Sequence, residues 1–312
     1  GFGRMKTESN LEKVLAAGHL GVTSECGPPR GAVPDNLTDK AKYLEGVVDA
    51  VNVTDNQTAM VRMSSLAGSV LIKQQGMHPL LQMVTRDRNR LAMQADILGA
   101  YSLGIDTMLC LSGDHTKFGD HPMAANVHDI DSIQLIQMVR NMRDESKFQG
   151  GADIKGAPKM FIGAAANPFA DPFELRVMRL AKKIAAGADF IQTQCIFNVD
   201  KFEQWMEGVR KMGLHKKCYI MAGITPLKSV GMANYMKKMV PGMDVPDELI
   251  ARIKGVDKEK RSEEGIKIAV ETIQQLKEIE GIHGVHIMAI EWEEMVPRIA
   301  KEAGLLPRPQ VE

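Results

Sequence analysis

One carboxylate in the sequence is placed where a strand could present an acid at the mouth of a site. Glu25 is the penultimate residue of the apolar segment Leu20–Cys26, which is followed by the rigid turn Gly27-Pro28-Pro29. On such a strand the side chain would lie partly out of water, and burial favours the protonated form of a carboxyl group. A protonated Glu in a cleft is suited to general acid catalysis. The alternative is a Glu that pairs with a neighbouring Lys or Arg and has no catalytic role.

Polar residues also follow the other β-branched segments, at the positions where strands would end. Gly113 would let the backbone approach a ligand closely, and the Gln194 carboxamide could donate to and accept from the edge of a heterocycle. Ala164-Ala165-Ala166 lead towards a helix start, where a phosphate or a flat ring could bind. Each of these residues alone could equally belong to a turn or a helix cap. Together they predict a site for a polar, flat ligand. The candidates at strand ends are Thr54, Gln82, Ser112, Gly113, Asp114, Asn167, Asp171 and Gln194.

Short β-branched segments alternate with longer helical ones along the chain. The helical segments carry apolar residues at three- and four-residue spacing, which is typical of amphipathic helices. Such alternation is typical of a doubly wound sheet or a closed barrel. The polar strand ends favour an α/β protein with a single (β/α)8 TIM barrel domain over residues 1–312, because that fold places its chemistry at the carboxyl ends of its strands. The predicted strands are Leu20–Cys26, Val51–Thr54, Leu80–Thr85, Thr107–Leu111, Lys159–Ala165, Phe190–Thr193, Cys218–Ile224 and Gly284–Ile290.

Local signals refine the helices between these strands. Asp171-Pro172-Phe173-Glu174 matches a capping box with Asp171 as N-cap, and Gly187 and Gly281 stand where helices should stop. The segment Pro241–Arg261 does not fit the simple alternation. It predicts a short helical insertion before the last strand, and we interpret that insertion as an elaboration of the packing.

Charge and composition narrow the function classes. Lys plus Arg and Asp plus Glu both number 39, so the formal charge is zero and no basic stripe stands out. This argues against nucleic acid and anionic membranes as partners, and no apolar run reaches the roughly 18 residues of a membrane span. Four scattered cysteines and the lack of a signal-peptide pattern predict a cytoplasmic protein without a metal centre. A neutral surface permits an oligomer or a heteromeric complex.

Several well-known catalytic motifs are missing from the sequence. It contains no GxxxxGK[ST], no GxGxxG after a strand, no HExxH and no GxSxG. Their absence disfavours a P-loop NTPase, a Rossmann dehydrogenase, a zincin protease and an α/β-hydrolase.

The order of the strand-end motifs resembles the methylenetetrahydrofolate reductase family along nearly the whole chain. An ordered set of matches is far more specific than any single motif. The matching segments are Glu25 with Pro28-Pro29, Val53-Thr54, Gly104-Ile105, Leu111-Ser112-Gly113-Asp114, Ala186-Gly187-Ala188, Thr193-Gln194 with Phe197, and Gly223-Ile224-Thr225-Pro226.

The resemblance implies a flavin across the barrel mouth, FAD or alternatively FMN, with a folate stacked on its exposed face. Glu25 would protonate N10 of 5,10-methylenetetrahydrofolate, and the opened iminium would accept a hydride from the reduced flavin to give 5-methyltetrahydrofolate, in a reversible reaction. Asp114 would be the second catalytic residue, its charge stabilising the cationic iminium. Gln194 and Phe197 would contact the folate together with these two residues. The implied flavin contacts are Thr54, Gln82, Ser112, Gly113, Asp114, Asp131, Asn167, Asp171 and Lys183, with Arg176 and Arg179 near the phosphate.

The sequence departs from the usual bacterial pattern of this family at several positions. Met236 replaces a Phe on which a nicotinamide would stack, and Ser112 replaces the Arg before the Gly-Asp pair. Trp292 stands where an Arg commonly contacts the folate tail. These changes favour a divergent member, similar to acetogen-type reductases, that takes electrons from a partner subunit rather than directly from NAD(P)H. The remaining replacements are Gln82 for His, Asp55 for Tyr and Met232 for Gln.

Two other functions remain open at the level of the sequence. A pterin-binding methyltransferase could use the same barrel and would need no flavin, so it would be colourless. A noncatalytic subunit of a redox complex would need none of Glu25, Asp114 and Gln194, and the presence of all three favours a reductase. The electron donor, the oligomeric state and the physiological direction are left open.

Overall fold

Eight parallel strands close into a barrel in the computed structural model, which describes residues 2–312. Each strand pairs with the next along the chain, and the last pairs with the first. The predicted (β/α)8 barrel is therefore confirmed. The strands are β1 (Gly21–Cys26), β2 (Ala50–Val53), β3 (Pro79–Val84), β4 (Thr107–Leu111), β5 (Phe161–Ala166), β6 (Phe190–Cys195), β7 (Tyr219–Ile224) and β8 (Gly284–Ile287).

Helices surround this barrel and pack their apolar faces on the outward-facing strand residues. None of the helices within residues 2–312 is both long and apolar enough to cross a membrane. The helices are α1 (Asn10–Ala16), α2 (Asp35–Lys42), α3 (Ser65–Gln74), α4 (Arg90–Ser102), α5 (Ser132–Asp144), α6 (Leu175–Ala186), α7 (Val199–Lys211), α8 (Val230–Met239), α9 (Asp247–Lys254), α10 (Arg261–Lys277) and α11 (Val296–Glu302).

The local predictions for the start of α6 and the end of β8 are wrong. The predicted capping box does not form: α6 begins at Leu175 after Glu174, with no side-chain cap. Instead, the Arg176 guanidinium donates to the carbonyl oxygens of Ala170 (2.7 Å) and Asp171 (2.8 Å), which holds this segment as a turn ahead of the helix. The predicted last strand, Gly284–Ile290, is also too long, because β8 ends at Ile287 and the chain turns back after Met288.

The predicted stop at Gly187 is confirmed, since this residue caps α6 with a φ of 128°. Gly281 does not cap α10, which ends at Lys277, but lies in the following turn with a φ of 98°. The predicted helical insertion is α9. Its residue Ile253 is buried with Val245 in an apolar cluster under the β6 and β7 ends, as expected for a packing elaboration.

The interior of the barrel is filled in layers because inward-facing residues alternate along each strand. The lowest layer is apolar and includes Phe161, Phe190 and Tyr219, and the α1 residues Leu11 and Leu15 pack against it. The Phe161 and Phe190 rings stack with centroids 4.9 Å apart. This layer closes the amino-terminal end of the barrel and leaves the polar residues above it.

Gly163 on β5 provides the space that the Phe190 ring occupies. A Cβ at this position would lie 2.3 Å from Cζ of Phe190. Gly163→Ala should therefore destabilise the protein by about 1–3 kcal/mol, the usual cost of overpacking a core, measured by urea unfolding. Gly99→Ala is the matched control, because a Cβ there meets nothing within 4 Å. A Gly163→Ala protein as stable as this control would contradict the account of the layer.

Candidate active site

A cavity of about 470 Å³ opens at the carboxyl ends of the strands. Its wall is built by side chains from seven of the eight strands and by one face of α6. Because these strands are parallel, their polar ends meet at one rim. Eight of the candidate site residues from the sequence line the cavity: Glu25, Gln82, Ser112, Asn167, Arg176, Arg179, Lys183 and Gln194.

The other candidates lie outside this lining. Asp114 is exposed, and its backbone carbonyl accepts a hydrogen bond from Arg86 (3.0 Å). Asp131 caps α5, and its carboxylate accepts from the backbone N–H of Gln134 (2.7 Å). Phe197 is buried in the apolar cluster around α8 and α9. The remaining candidates that lie outside the cavity lining are Thr54, Gly113 and Asp171.

A buried network of amides forms the floor of the cavity. Asn52 Nδ2 donates to the side-chain oxygens of Gln192 (2.6 Å) and Gln82 (3.1 Å). Gln192 Nε2 donates back to Asn52 Oδ1 (3.1 Å) and also to Thr23 Oγ1 (3.1 Å). Buried polar groups that are mutually satisfied in this way hold one arrangement. The network therefore fixes the orientation of the side chains immediately below the ligand space.

The same network determines how His286 faces Glu25. Thr23 Oγ1 accepts from Gln192 Nε2 and forms a second hydrogen bond, 2.8 Å long, with Nδ1 of His286. This contact orients the ring, and Nε2 of His286 lies 3.6 Å from Oε2 of Glu25. The Glu25 side chain is 21% exposed. The carboxyl group thus faces both the cavity and an oriented imidazole.

Sequence reasoning did not identify this floor. Asn52, Gln192 and His286 lie inside strands that are otherwise buried. The available signal was their polarity inside apolar strands, since period-two spacing places them on the same side as Thr54, Gln194 and Met288, respectively.

One flank of the cavity is cationic. Arg176, Arg179 and Lys183 all line it from α6, at spacings that place them on one helix face. Burial, together with the positive charges of Arg179 and Arg176, lowers the pKa of Lys183 to about 8. Within residues 2–312, no carboxylate lies within ion-pair distance of these three side chains. Uncompensated charge of this kind suits a phosphate or another anion.

Comparisons with known proteins identify the family of the chain. Residues 10–304 match the family model described as methylenetetrahydrofolate reductase. The chain belongs to the methylenetetrahydrofolate reductase family. It is 23% identical over 306 residues to a Caenorhabditis elegans protein named "Probable methylenetetrahydrofolate reductase (NADPH)", covering 95% of this chain and 44% of that protein. It is 26% identical over 221 residues to methylenetetrahydrofolate reductase 2 of Schizosaccharomyces pombe, covering 67% and 33%.

The chain thus spans less than half the length of these curated relatives of the reductase family. A solved structure with the same fold is an uncharacterized Clostridium thermocellum protein that binds two copies of 5-methyl-5,6,7,8-tetrahydrofolic acid. The two structures superpose with a TM-score of 0.60 at 14% identity, covering 94% of this chain and 98% of that one.

Three residues that depart from the reductase family pattern make defined contacts in the structure. Asp55 is buried and pairs with Arg88 (2.8 Å); burial raises the pKa of Asp55, and the Arg88 charge opposes that rise. Met236 is buried in the apolar cluster with Phe197. Lys228 lies over the Trp292 ring, with Nζ 5.3 Å from the centroid.

The four cysteines and possible metal ligands offer no further site. All four thiols are buried and unpaired, and burial raises the pKa of Cys26 and of Cys195 to about 12. No group of three or more His, Cys, Asp or Glu side chains among residues 2–312 is arranged to hold a metal ion.

Proposed function

We propose that this protein catalyses flavin-dependent, reversible reduction of 5,10-methylenetetrahydrofolate to 5-methyltetrahydrofolate. The observation that carries the proposal is the wall of the cavity, where the Glu25 carboxyl, the Gln194 carboxamide and a cationic flank surround one ligand space. Family membership supports the same activity. The substrate and the cofactor are part of the proposal.

The residues of the cavity fit a flavin. Arg176, Arg179 and Lys183 would hold its phosphate, because their charges have no carboxylate partner within the described chain. Gln82 and Asn167 would supply hydrogen bonds to the isoalloxazine or ribityl groups. When bound, the flavin supplies the two-electron chemistry, and the protein contributes position and electrostatics. Thr54, Gly113, Asp114, Asp131 and Asp171 stay predicted contacts. FAD and FMN are both compatible with these residues.

Glu25 would hold the proton that is delivered to N10 of the folate. Its position between the open cavity and Nε2 of His286 suits this role, since a general acid must face the atom that it protonates. Gln194 would orient the pterin, because its Oε1 accepts from the backbone N–H of Cys195 (3.3 Å) and its amide hydrogens remain available. Asp114 and Phe197 remain predicted catalytic and folate contacts, respectively.

The visible spectrum of the purified protein tests the proposal directly. We expect a yellow protein that is bleached by 5-methyltetrahydrofolate in the absence of oxygen, and mass analysis of the released cofactor would name the flavin. A colourless protein that cannot be reconstituted with FAD or FMN would contradict the proposal. It would favour the methyltransferase or the noncatalytic subunit.

The electrons are proposed to come from a partner subunit. Met236 supports this, because it stands where the family places an aromatic platform and its side chain is buried in the protein interior. We expect the purified, flavin-loaded chain to oxidise NADH or NADPH at a negligible rate but to accept electrons from a chemical reductant. Anaerobic stopped-flow absorbance of the flavin measures both rates. Rapid reduction by either nucleotide would contradict the partner subunit.

A further inference from the structure

A second cavity, which we call the rear cavity, lies behind Glu25. It has a volume of about 360 Å³ and lies between the segments that follow β1, β2 and β8. Of the described residues that line the two cavities, Glu25 is the one they share. The rear cavity also reaches Lys40 of α2, Arg62, Glu291 and Glu293.

This arrangement matters if the proposed function is correct, because Glu25 then loses a proton in each reductive turnover. With flavin and folate in the cavity at the strand ends, which we call the front cavity, the face of Glu25 that meets the substrate is covered. A proton that reaches Glu25 before the folate leaves would therefore come from another side. The rear cavity can hold on the order of ten water molecules, at roughly 30 Å³ for each. Its size thus suits a water-filled route to the rear face of Glu25.

Glu293 is the acid in this cavity that is best placed for such a route. It follows β8 in a short turn, lines the rear cavity and is 7% exposed. Its side chain makes no hydrogen bond or ion pair to another residue within 2–312. Burial favours the protonated form of a carboxyl group, which is the form that can donate a proton.

The electrostatics of the surrounding groups agree with this placement. Burial raises the pKa of Glu293, and the hydrogen bond from its own backbone N–H and the charge of Lys40 oppose this rise in part. The charges of Glu294 and Glu291 add smaller upward contributions to the same pKa. Burial raises the pKa of the Cys26 thiol of β1, and the charges of Glu293 and Glu25 raise it further.

We propose that Glu293 returns protons to Glu25 through the rear cavity. After Glu25 has protonated the folate, the carboxyl proton of Glu293 passes through water to the Glu25 carboxylate. The Glu293 carboxylate then takes a proton from solvent. No electrons move in this step, and each carboxyl group returns to its starting state. Glu293 is thus a positioning residue that acts through Glu25 and does not touch the substrate.

Glu293→Gln removes the proton carrier with little change in volume, and Glu294→Gln is the matched control because Glu294 is its exposed neighbour. We expect multiple-turnover folate reduction, with a chemical reductant as electron source, to fall by about tenfold in Glu293→Gln at pH 8, less than the loss of a direct general acid. A single turnover that starts with protonated Glu25 should be nearly unchanged. Formate should restore turnover in Glu293→Ala, because a small acid can occupy the space and carry the proton.

The ligand-free protein gives a readout that does not depend on activity. Infrared difference spectra should show a protonated carboxyl group near pH 7 that is lost in Glu293→Gln and retained in Glu294→Gln. A wild type that reacts with folate supports the proposed function. If Glu293→Gln then matches Glu294→Gln both in turnover and in this spectrum, the proton route is overturned and the proposed function stands. If the wild type does not react with folate, both proposals fall.

Discussion

Glu25→Gln should reduce the rate of folate reduction by about 10²–10⁴-fold while leaving the flavin bound. The substitution keeps the size of the side chain but removes the proton that N10 must receive, and general acids contribute rate factors of this order. His286 and the buried amides would keep their arrangement, because the hydrogen bonds of His286 Nδ1, Asn52 and Gln192 do not involve the Glu25 carboxyl group. The rate is best measured by anaerobic stopped-flow oxidation of the reduced enzyme by 5,10-methylenetetrahydrofolate.

A matched control separates catalysis from folding in this experiment. Glu294→Gln removes an exposed carboxylate from the same rim and should have no effect on the rate. Flavin affinity, measured by fluorescence quenching, should be nearly equal in the wild type and in both variants. An equal loss of flavin affinity and of folate reduction in Glu25→Gln would show that Glu25 supports the structure rather than the proton transfer.

Lys183→Met should weaken flavin binding by about 10–100-fold, the usual effect of losing one charge-assisted hydrogen bond of about 1.5–3 kcal/mol. The reason is that Lys183 is one of three cations that face the cavity without a carboxylate partner. Titration of the ligand-free protein with FMN and with FAD gives the affinities. Lys182→Met is the matched control, because Lys182 does not line the cavity.

We expect flavin binding to weaken as the pH rises, because Lys183 loses its charge. The pKa of Lys183 is lowered to about 8, so the ligand-free protein loses this charge as the pH rises through 8. Flavin binding should therefore weaken above about pH 8 and take up a proton, and Lys183→Met should remove most of this dependence. The ligand-free Lys183→Met protein should also be more stable than the wild type below that pH, because the folded state disfavours the buried charge. Wild-type binding without a pH dependence around 8 would contradict a direct role for Lys183.

The sequence predicts the barrel and much of the rim for clear physical reasons. Strand and helix periodicity extends along the whole chain, and parallel strands bring their ends together. The sequence alone therefore places three residues of the cavity wall in one site, namely Glu25, Gln82 and Gln194. The catalytic roles of Glu25 and Asp114 stay predictions.

The floor of the site depends on contacts that no local pattern encodes. Asn52 and Gln192 are 140 positions apart in the chain, and His286 contacts Thr23 across the junction of β1 and β8. The failed capping box has a related cause. Asp171 and Glu174 match a local motif, but the side chain of Arg176 binds the carbonyl groups of the same segment instead. Tertiary contacts of this kind override local propensity.

The packing of α1 against the lowest layer has a kinetic consequence. Leu11 and Leu15 close the amino-terminal end of the barrel, so ligands enter the front cavity from the carboxyl-terminal rim. A protein that delivers electrons and a folate that accepts them would have to approach by this one entrance. They should then alternate in time, with each leaving before the other arrives. Steady-state rates would show this as parallel double-reciprocal lines when the concentration of one is varied at fixed levels of the other.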